Sequence, residues 1–410
     1  MTSRGNTQPG EFTPKCLDIV SWRSATLEEI KEFLDSRRKS VEDRQKQRRR
    51  SVLAVRRSLV PVDVYCYLRA RFGEPNGIQN FLRKNHSDNL FHWDFILRAG
   101  DEEVYIAGMS REIQLAVSAV MTDRDWRNLI VAIKNDYKRV AKEKSAVLKS
   151  LEHWVIFPNR YVAIAELCAD LHATIKDDVG GFRIYSPGSG TFLEQEKAIK
   201  EMDRRAKVVY RACLQLSILA PILAEAFINL VILTLCKPEI RANQKHLDEF
   251  IRSKIHDRII DLASKCDGFA RKVDRRSTTY RKFLKVMNKR NDTIHGNHNP
   301  EQEQIERVYF EGTRPLFVQP GDQIGKFFEA LERQYRPESV ANDYEDVQEF
   351  LAELTSCMKP DIAAGLRRIA EDPFPGFDIR RKKMGALFPG HYVSGNLEGV
   401  RFDDELAVVD

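Results

Sequence analysis

The feature that most constrains the fold is a stretch at residues 212–236 that carries a single charge, Glu225. Its length alone would nearly span a bilayer. However, Glu225 divides it into apolar runs of 13 and 11 residues, and a spanning helix needs roughly 18. Pro221 and Asn229 disfavour a lipid-facing helix further. We therefore expect a helix buried inside a soluble protein, with a membrane-associated protein as the alternative.

The positive charge of the chain is concentrated near the N-terminus. The 410 residues carry a formal net charge of +6, yet residues 36–57 alone hold ten Lys or Arg against two acids. Clustered cations release counterions when they bind nucleic acid. Residues 1–57 are therefore predicted to form a basic arm, which is either solvated or contacts RNA phosphates or another partner; Arg48, Arg49 and Arg50 are the candidate RNA contacts. No aromatic residue interleaves the cations, so base stacking is not indicated.

The length of the chain implies two domains with extensions. Residues 58–179 mix strand-like alternation with helical spacing and predict an α+β domain whose pattern indicates no activity. Strands are expected near residues 90–97, 103–108 and 113–121, the last with one buried face. A helix capped by Asp123 or Asp125 and a second helix at residues 161–175 follow. Residues 180–191, rich in Gly, Ser and Pro, predict a linker.

Residues 192–372 predict a mainly α-helical bundle. The apolar spacing predicts helices near residues 193–236, 243–264, 277–295, 323–335 and 343–371, the last interrupted at Pro360. Gly296 lies where a C-terminal helix cap is expected. An insertion at about residues 297–342 includes a short hairpin near 306–319. Residues 373–410, rich in Pro, Gly and charge, are predicted to form a loosely ordered tail.

Residues that could carry chemistry lie at the end of the helix predicted for 277–295. Asn291 and His295 share a helix face, whereas Arg290 lies about 140° from His295. A long side chain, a frayed last turn or a second protomer must close that gap. Metal-free RNA cleavage needs a base, a proton donor and a cation, and histidine and arginine supply these functions. Spacing alone nevertheless favours cations that only complement the helix dipole.

The sequence around this cluster resembles the motif of the HEPN superfamily, an Arg followed four to six residues later by His, commonly with Asn directly after the Arg. Residues 223–230 resemble the first long helix of many HEPN domains, in which an acidic residue, here Glu225, interrupts an apolar run. The resemblance covers about residues 194–372 and implies an all-α domain that dimerises into one composite cleft. It implies Arg290 and His295 as catalytic and Asn291 as supporting. Glu225 would either hold Arg290 or another cation across the bundle, or be a paired core acid.

Two features depart from the family's pattern, and two further observations argue against metal and disulfide sites. The insertion at 297–342 is longer than a compact four-helix domain needs, and Gly296 and Asn297 follow His295 where nucleotidylated HEPN toxins carry His-x-Tyr. His298 could share a face with His295, but no third metal ligand has usable spacing. The seven cysteines are dispersed without a CxxC pair, which argues for a reducing compartment and against a zinc knuckle or a disulfide framework.

The sequence thus predicts a cytoplasmic, homodimeric endoribonuclease that cleaves RNA by 2′-OH attack, with no cofactor, no metal and no membrane anchor. The resemblance implies a role as a bacterial toxin or anti-phage effector. The N-terminal domain would then bind a regulatory ligand or protein. The alternative is a catalytically silent HEPN-like module that binds RNA or a protein.

Overall fold

The computed structural model describes residues 13–38, 51–81, 91–178, 191–296, 300–301, 304–388 and 401–407. The chain divides into two compact units, one of residues 1–152 with 388–410 and one of residues 153–387. The first unit is an α/β unit with a mixed sheet, and the C-terminal part is largely helical, at 62%. The predicted order of an α- and β-containing region followed by a helical one is confirmed.

The strands of the described residues, in chain order, are β1 (Arg23–Ser24), β2 (Ser51–Val55), β3 (Trp93–Ala99), β4 (Glu102–Gly108), β5 (Ile113–Val117), β6 (Trp154–Ile156), β7 (Val308–Glu311), β8 (Arg314–Phe317), β9 (Gly376–Asp378), β10 (Lys383–Gly385) and β11 (Arg401–Phe402). The α-helices are α1 (Leu27–Arg38), α2 (Pro61–Phe72), α3 (Asp123–Asp136), α4 (Ala141–Ser150), α5 (Arg160–Asp178), α6 (Phe192–Leu235), α7 (Pro238–Ala242), α8 (Gln244–Arg252), α9 (Ile255–Lys265), α10 (Thr278–His295), α11 (Gln323–Tyr335), α12 (Pro337–Ser356) and α13 (Pro360–Glu371).

The first unit is built on one six-stranded sheet in the order β1-β3-β4-β5-β2-β11. All neighbours are antiparallel except β11, which runs parallel to β2. The β3–β4 hairpin turns at Gly100, whose φ of 61° lies in the left-handed region that favours glycine. Both faces of the sheet are buried, because Leu115 packs into one core with α2 and α3 while Ala116 packs into a second core with α1.

Two local predictions for the first unit were wrong. The strand expected to reach residue 121 ends at Val117, and both of its faces are covered instead of one. The cap of α3 is Thr122, not Asp123 or Asp125. The Thr122 hydroxyl accepts the Asp125 amide N–H, and the Asp125 carboxylate accepts the Thr122 amide N–H, which forms a capping box.

The second unit is organised around α6, which has 44 residues and continues through Pro221. Helices α5, α10 and α12 pack along it, and α10 also packs on α12. The apolar face of α6 from Ala206 to Ile232 forms the centre of the core. Strands β10, β9 and β6 form a small antiparallel sheet, and β7 and β8 form the predicted hairpin within the insertion.

Helix α6 is also the one helix in the described part of the chain that is long and apolar enough to cross a membrane. In its most apolar window, 56% of the residues are buried inside the protein. Core helices of soluble proteins pass the same test of length and composition.

The predicted domain limits differ from the observed units in two places. Helix α5, expected in the N-terminal domain, belongs to the second unit because Cys168 and Ile175 are buried against α6. Residues 51–57, expected in the basic arm, include strand β2, whose Leu53 and Val55 are fully buried. Residues 179–190, which hold almost all of the predicted linker, lie outside the described residues, as does Arg50 with most of the basic run.

The segment predicted as a loosely ordered tail forms strands and hydrogen bonds in its described parts, residues 373–388 and 401–407. Strand β9 pairs with β6, and the backbone N–H groups of Asn159 and Phe157 donate to the carbonyls of Pro373 and Pro375 at 2.9 and 3.3 Å. Further on, Asp403 accepts the backbone N–H groups that follow β2, those of Arg56 and Ser58 at 3.0 and 2.7 Å. These backbone contacts over long sequence separations have no signature in local composition.

Candidate active site

The candidate residues lie on the last two turns of α10. Phe283 and Met287 of this helix are buried in the core, and Arg290, three residues beyond Met287, continues the same stripe. The next position on the stripe is Ile294, which is 53% exposed. The helix ends at His295, and Gly296 follows with a φ of 62°, as expected for a C-terminal glycine.

Arg290 forms an ion pair with Glu225 of α6. The Nη2 of Arg290 donates to Oε1 of Glu225 at 3.0 Å, and the two side chains are 21% and 27% exposed. Glu225 thus contacts Arg290 across the bundle, and the same contact makes it a paired acid at the edge of the core. Both interpretations that the sequence left open for Glu225 fit this contact.

A second arginine, which sequence reasoning missed, completes this group. The Nη2 of Arg258 on α9 lies 3.7 Å from Oε2 of Glu225, and its Nη1 donates to Oδ1 of Asn229 at 2.9 Å. The Arg258 side chain is only 7% exposed. A usable signal existed, because Arg258 lies on the helix stripe that also carries Ile255 and Leu262. A cation on an apolar stripe needs a buried partner.

The group of Glu225, Arg258 and Arg290, called here the arginine cluster, holds two guanidinium charges against one carboxylate. Burial lowers the pKa of Arg258; the Glu225 carboxylate opposes this effect and the charge of Arg290 adds to it. The Nε atoms of Arg258 and Arg290 are buried without a hydrogen-bond partner among the described residues. The cluster therefore has a surplus positive charge, which suits a phosphate oxygen.

His295 and Asn291 lie outside the arginine cluster. Both are exposed on the surface of α10, and among the described contacts neither hydrogen-bonds or ion-pairs with Glu225, Arg258 or Arg290. Because α10 remains α-helical to its end, Arg290 and His295 are offset by about 7.5 Å along the axis and by about 140° around it. A single chain thus brings Arg290 to Glu225 and does not bring His295 to Arg290.

The other candidate residues are placed as follows. Arg48, Arg49 and Arg50 lie outside the described residues, and so does His298. Within the described ranges, no group of three His, Cys, Asp or Glu side chains is close enough to hold a metal ion. All seven cysteines are free and buried, and Cys236 lies opposite Cys266 across an isolated antiparallel bridge.

Comparisons of the chain with protein-family models, with curated proteins and with solved structures found no match. The protein therefore consists of an α/β unit and a largely helical unit. Within the helical unit, three helices meet at a part-buried cluster of one carboxylate and two guanidiniums.

Proposed function

We propose that the helical unit is a HEPN-like endoribonuclease that cleaves RNA without a metal ion. The observation that carries the proposal is the Glu225–Arg290 ion pair of 3.0 Å, which joins the two sequence features that resemble the family. A guanidinium held by a carboxylate is oriented before substrate arrives, so little reorganisation is needed when charge develops on the phosphate. His295 lies five residues further along α10 and is exposed.

In the proposed reaction, His295 takes the proton of the 2′-OH, and the 2′-oxygen forms a bond to phosphorus. The bond from phosphorus to the 5′-oxygen breaks, and a protonated imidazole supplies the proton to that oxygen. The products are a 2′,3′-cyclic phosphate and a 5′-hydroxyl. Arg290 stabilises the negative charge on the phosphoryl oxygens, and Asn291, one turn before His295, orients the imidazole or the phosphate.

We propose that the functional form is a homodimer. The offset between Arg290 and His295 in one chain leaves the site incomplete, and the reaction benefits from two imidazoles. A two-fold arrangement of the α10 ends would supply both imidazoles and both guanidiniums to one phosphate. It would also cover Ile294, which is 53% exposed. A toxin or defence role in the cytoplasm, with the first unit receiving a regulatory ligand or protein, is proposed from the resemblance alone.

A second candidate is a catalytically silent module that binds RNA or protein. The ion pair that the Arg290 guanidinium already forms with Glu225 favours this candidate. An arginine whose Nη2 is engaged by a carboxylate, and whose histidine lies outside the contact, serves equally well as part of a structural ion pair.

The two candidates are separated by matched variants of the full-length protein, assayed on single-stranded RNA with EDTA present. His295→Ala should lower the cleavage rate by more than about 100-fold, whereas His246→Ala, an exposed helical histidine on α8, should not change it. Arg290→Lys keeps a cation beside Glu225 but loses the planar fork, and should lower the rate similarly. Arg281→Ala, on the exposed face of α10, is its control. Cleavage at the wild-type rate by His295→Ala would exclude the proposed HEPN-type mechanism. RNA binding without cleavage by the wild-type protein would support the silent module.

A further inference from the structure

The second unit contains a cavity of about 750 Å³ that is separate from the arginine cluster. Its lining comes from the C-terminal end of α6, from α7, from one face of α13 and from β9 and β10. Leu235, Leu366, Ile369 and Met384 give it apolar walls. Sites for small organic ligands commonly occupy about 300–1,000 Å³ and combine such walls with a few polar groups.

Two buried polar groups in the wall of the cavity are without partners among the described residues. Thr234 is 5% exposed, and its hydroxyl has no hydrogen-bond partner among the described residues. The Nε of Arg241 is also buried and has no such partner. Leaving a buried donor or acceptor unpaired costs about 1–3 kcal/mol. Both groups belong to residues that line the same cavity, so a molecule that enters it is a candidate partner for them.

Gly365 supports the same conclusion from a different direction. It lies inside helix α13, where glycine costs about 0.5–1 kcal/mol relative to alanine. A Cβ built at Gly365 would meet nothing within 4 Å, so packing does not require glycine there. Nearby Gly268 is different, because its φ is 87° and a Cβ there would lie 2.7 Å from Ile362. The missing side chain of Gly365 leaves the cavity open.

The rim of the cavity is cationic. Arg241, Arg380, Arg381 and Lys383 line it, against the acids Asp361 and Asp378. The Asp378 carboxylate is already engaged, since it accepts the backbone N–H groups of Arg380 and Arg381 at 2.8 and 2.9 Å. These hydrogen bonds, that of Arg381 first, hold the pKa of Asp378 below its ordinary value. The surplus of guanidinium and ammonium groups selects an anionic ligand, and phosphate matches the guanidinium fork.

The wall also includes an aromatic surface. Trp154 lines the cavity beside Gly385, where a Cβ would lie 3.3 Å from the indole ring. Trp154 is the one tryptophan of the second unit; the others are at positions 22, 93 and 126. An indole and an apolar wall suit a flat heterocyclic base, which a free inorganic anion lacks.

We propose that this cavity binds a free nucleoside phosphate, with the base beside Trp154 and the phosphate at the rim formed by Arg241 and Lys383. The proposal is independent of the RNA-cleaving function, because it uses no residue of the arginine cluster and none of α10. The ligand would fill a site within the helical unit and satisfy Thr234 and Arg241.

The test uses full-length protein, titrated calorimetrically with adenosine and guanosine 5′-monophosphates, adenosine, inorganic phosphate and a short RNA oligonucleotide. At least one mononucleotide should bind, and inorganic phosphate and adenosine should bind at least ten-fold more weakly. Excitation at 295 nm should show a fluorescence change on binding that is lost in Trp154→Phe. Arg241→Ala should weaken binding by about ten- to hundred-fold, as expected for a lost charge-assisted contact.

Gly365→Leu is the decisive variant, because a leucine inside α13 favours the helix while filling the cavity. It should raise or preserve the Tm of the unliganded protein and abolish mononucleotide binding, whereas Gly365→Ala should raise the Tm and keep most of the affinity. Unchanged binding in Gly365→Leu would place the site elsewhere and overturn the proposal. It would also be overturned if no mononucleotide bound, if inorganic phosphate bound equally well, or if only the RNA oligonucleotide bound in a manner sensitive to Gly365→Leu.

Discussion

Replacing Glu225 by glutamine tests the geometry of the arginine cluster, because it removes one charge and nearly preserves the shape of the side chain. The substitution leaves the guanidiniums of Arg258 and Arg290 together without a counter-charge. Arg258 suffers most, since its side chain is 7% exposed and its remaining partner is the neutral amide of Asn229. Glu225→Gln is therefore expected to destabilise the helical unit.

The magnitude follows from the burial of the three groups. Unit charges 4 Å apart attract by about 4 kcal/mol at an effective dielectric constant of 20, and breaking a buried ion pair costs about 3–5 kcal/mol. Glu225 retains 27% exposure, so water screens part of the loss. We expect Glu225→Gln to lower the free energy of unfolding by about 2–3 kcal/mol.

The assay is urea unfolding at pH 7, followed by circular dichroism at 222 nm, with the transitions of the two units fitted separately if they resolve. The matched control is Glu196→Gln on the same helix, which removes the exposed ion pair with Lys200 (2.7 Å; side chains 45% and 74% exposed). It should cost under about 0.5 kcal/mol. Glu225→Gln combined with Arg258→Met removes the unpaired buried charge and should recover most of the loss. Equal effects of Glu225→Gln and Glu196→Gln would refute the reasoning.

Three further predictions concern other parts of the molecule. Burial acts to raise the pKa of Asp403, but the hydrogen bonds from Ser58, Arg56 and Arg57 outweigh it and hold the pKa below its ordinary value. This contribution to stability is therefore present above the unfolded pKa of about 3.9 and is lost as the pH falls below it. Asp403→Asn should flatten the acid limb of a Tm-against-pH curve, and an unchanged limb would contradict this. Gly268→Ala should lower the stability of the helical unit by about 2 kcal/mol or more in urea unfolding, because L-residues are strained at its positive φ; a loss under 0.5 kcal/mol would show that the loop yields. Co-expressed Arg290→Ala and His295→Ala subunits should recover up to about half of wild-type cleavage, the share of mixed dimers under random pairing. If the protein is a monomer by light scattering and still cleaves RNA at the full rate, the composite site is excluded.

Local structure was largely predictable from the sequence. Helix α11 begins and ends where its apolar spacing predicts, at Gln323 and Tyr335, and strand β4, Glu102–Gly108, lies where a strand was expected near residues 103–108. Such elements are determined by neighbours within a few residues. Periodicity also identified α5 as a helix, but an apolar stripe predicts only that a helix face is buried, not which element covers it. That α5 belongs to the helical unit therefore becomes clear only from the packing of Cys168 and Ile175.

Contacts between residues distant in the chain were the part that could not be predicted. The return of β11 to β2 rests on backbone pairing and on Asp403, neither of which alters the local pattern. Cys236 and Cys266 meet although 30 positions separate them and no motif links them. For the candidate site, Glu225 and Arg290 were recognisable by resemblance. The only signal for Arg258 was its position on an apolar helix stripe, which indicates a buried cation but does not identify its partner.

The central claim, RNA cleavage by 2′-OH attack without a metal, is tested most directly by the chemistry of the cleaved ends. A short single-stranded RNA that contains one preferred cleavage site would be incubated with the purified protein in EDTA, beside the same RNA with a 2′-O-methyl group at that site. Mass spectrometry should find a 2′,3′-cyclic phosphate and a 5′-hydroxyl from the first RNA and no cleavage at the modified site of the second. Cleavage of the methylated RNA, 3′-hydroxyl and 5′-phosphate ends, or a requirement for Mg²⁺ would contradict the account.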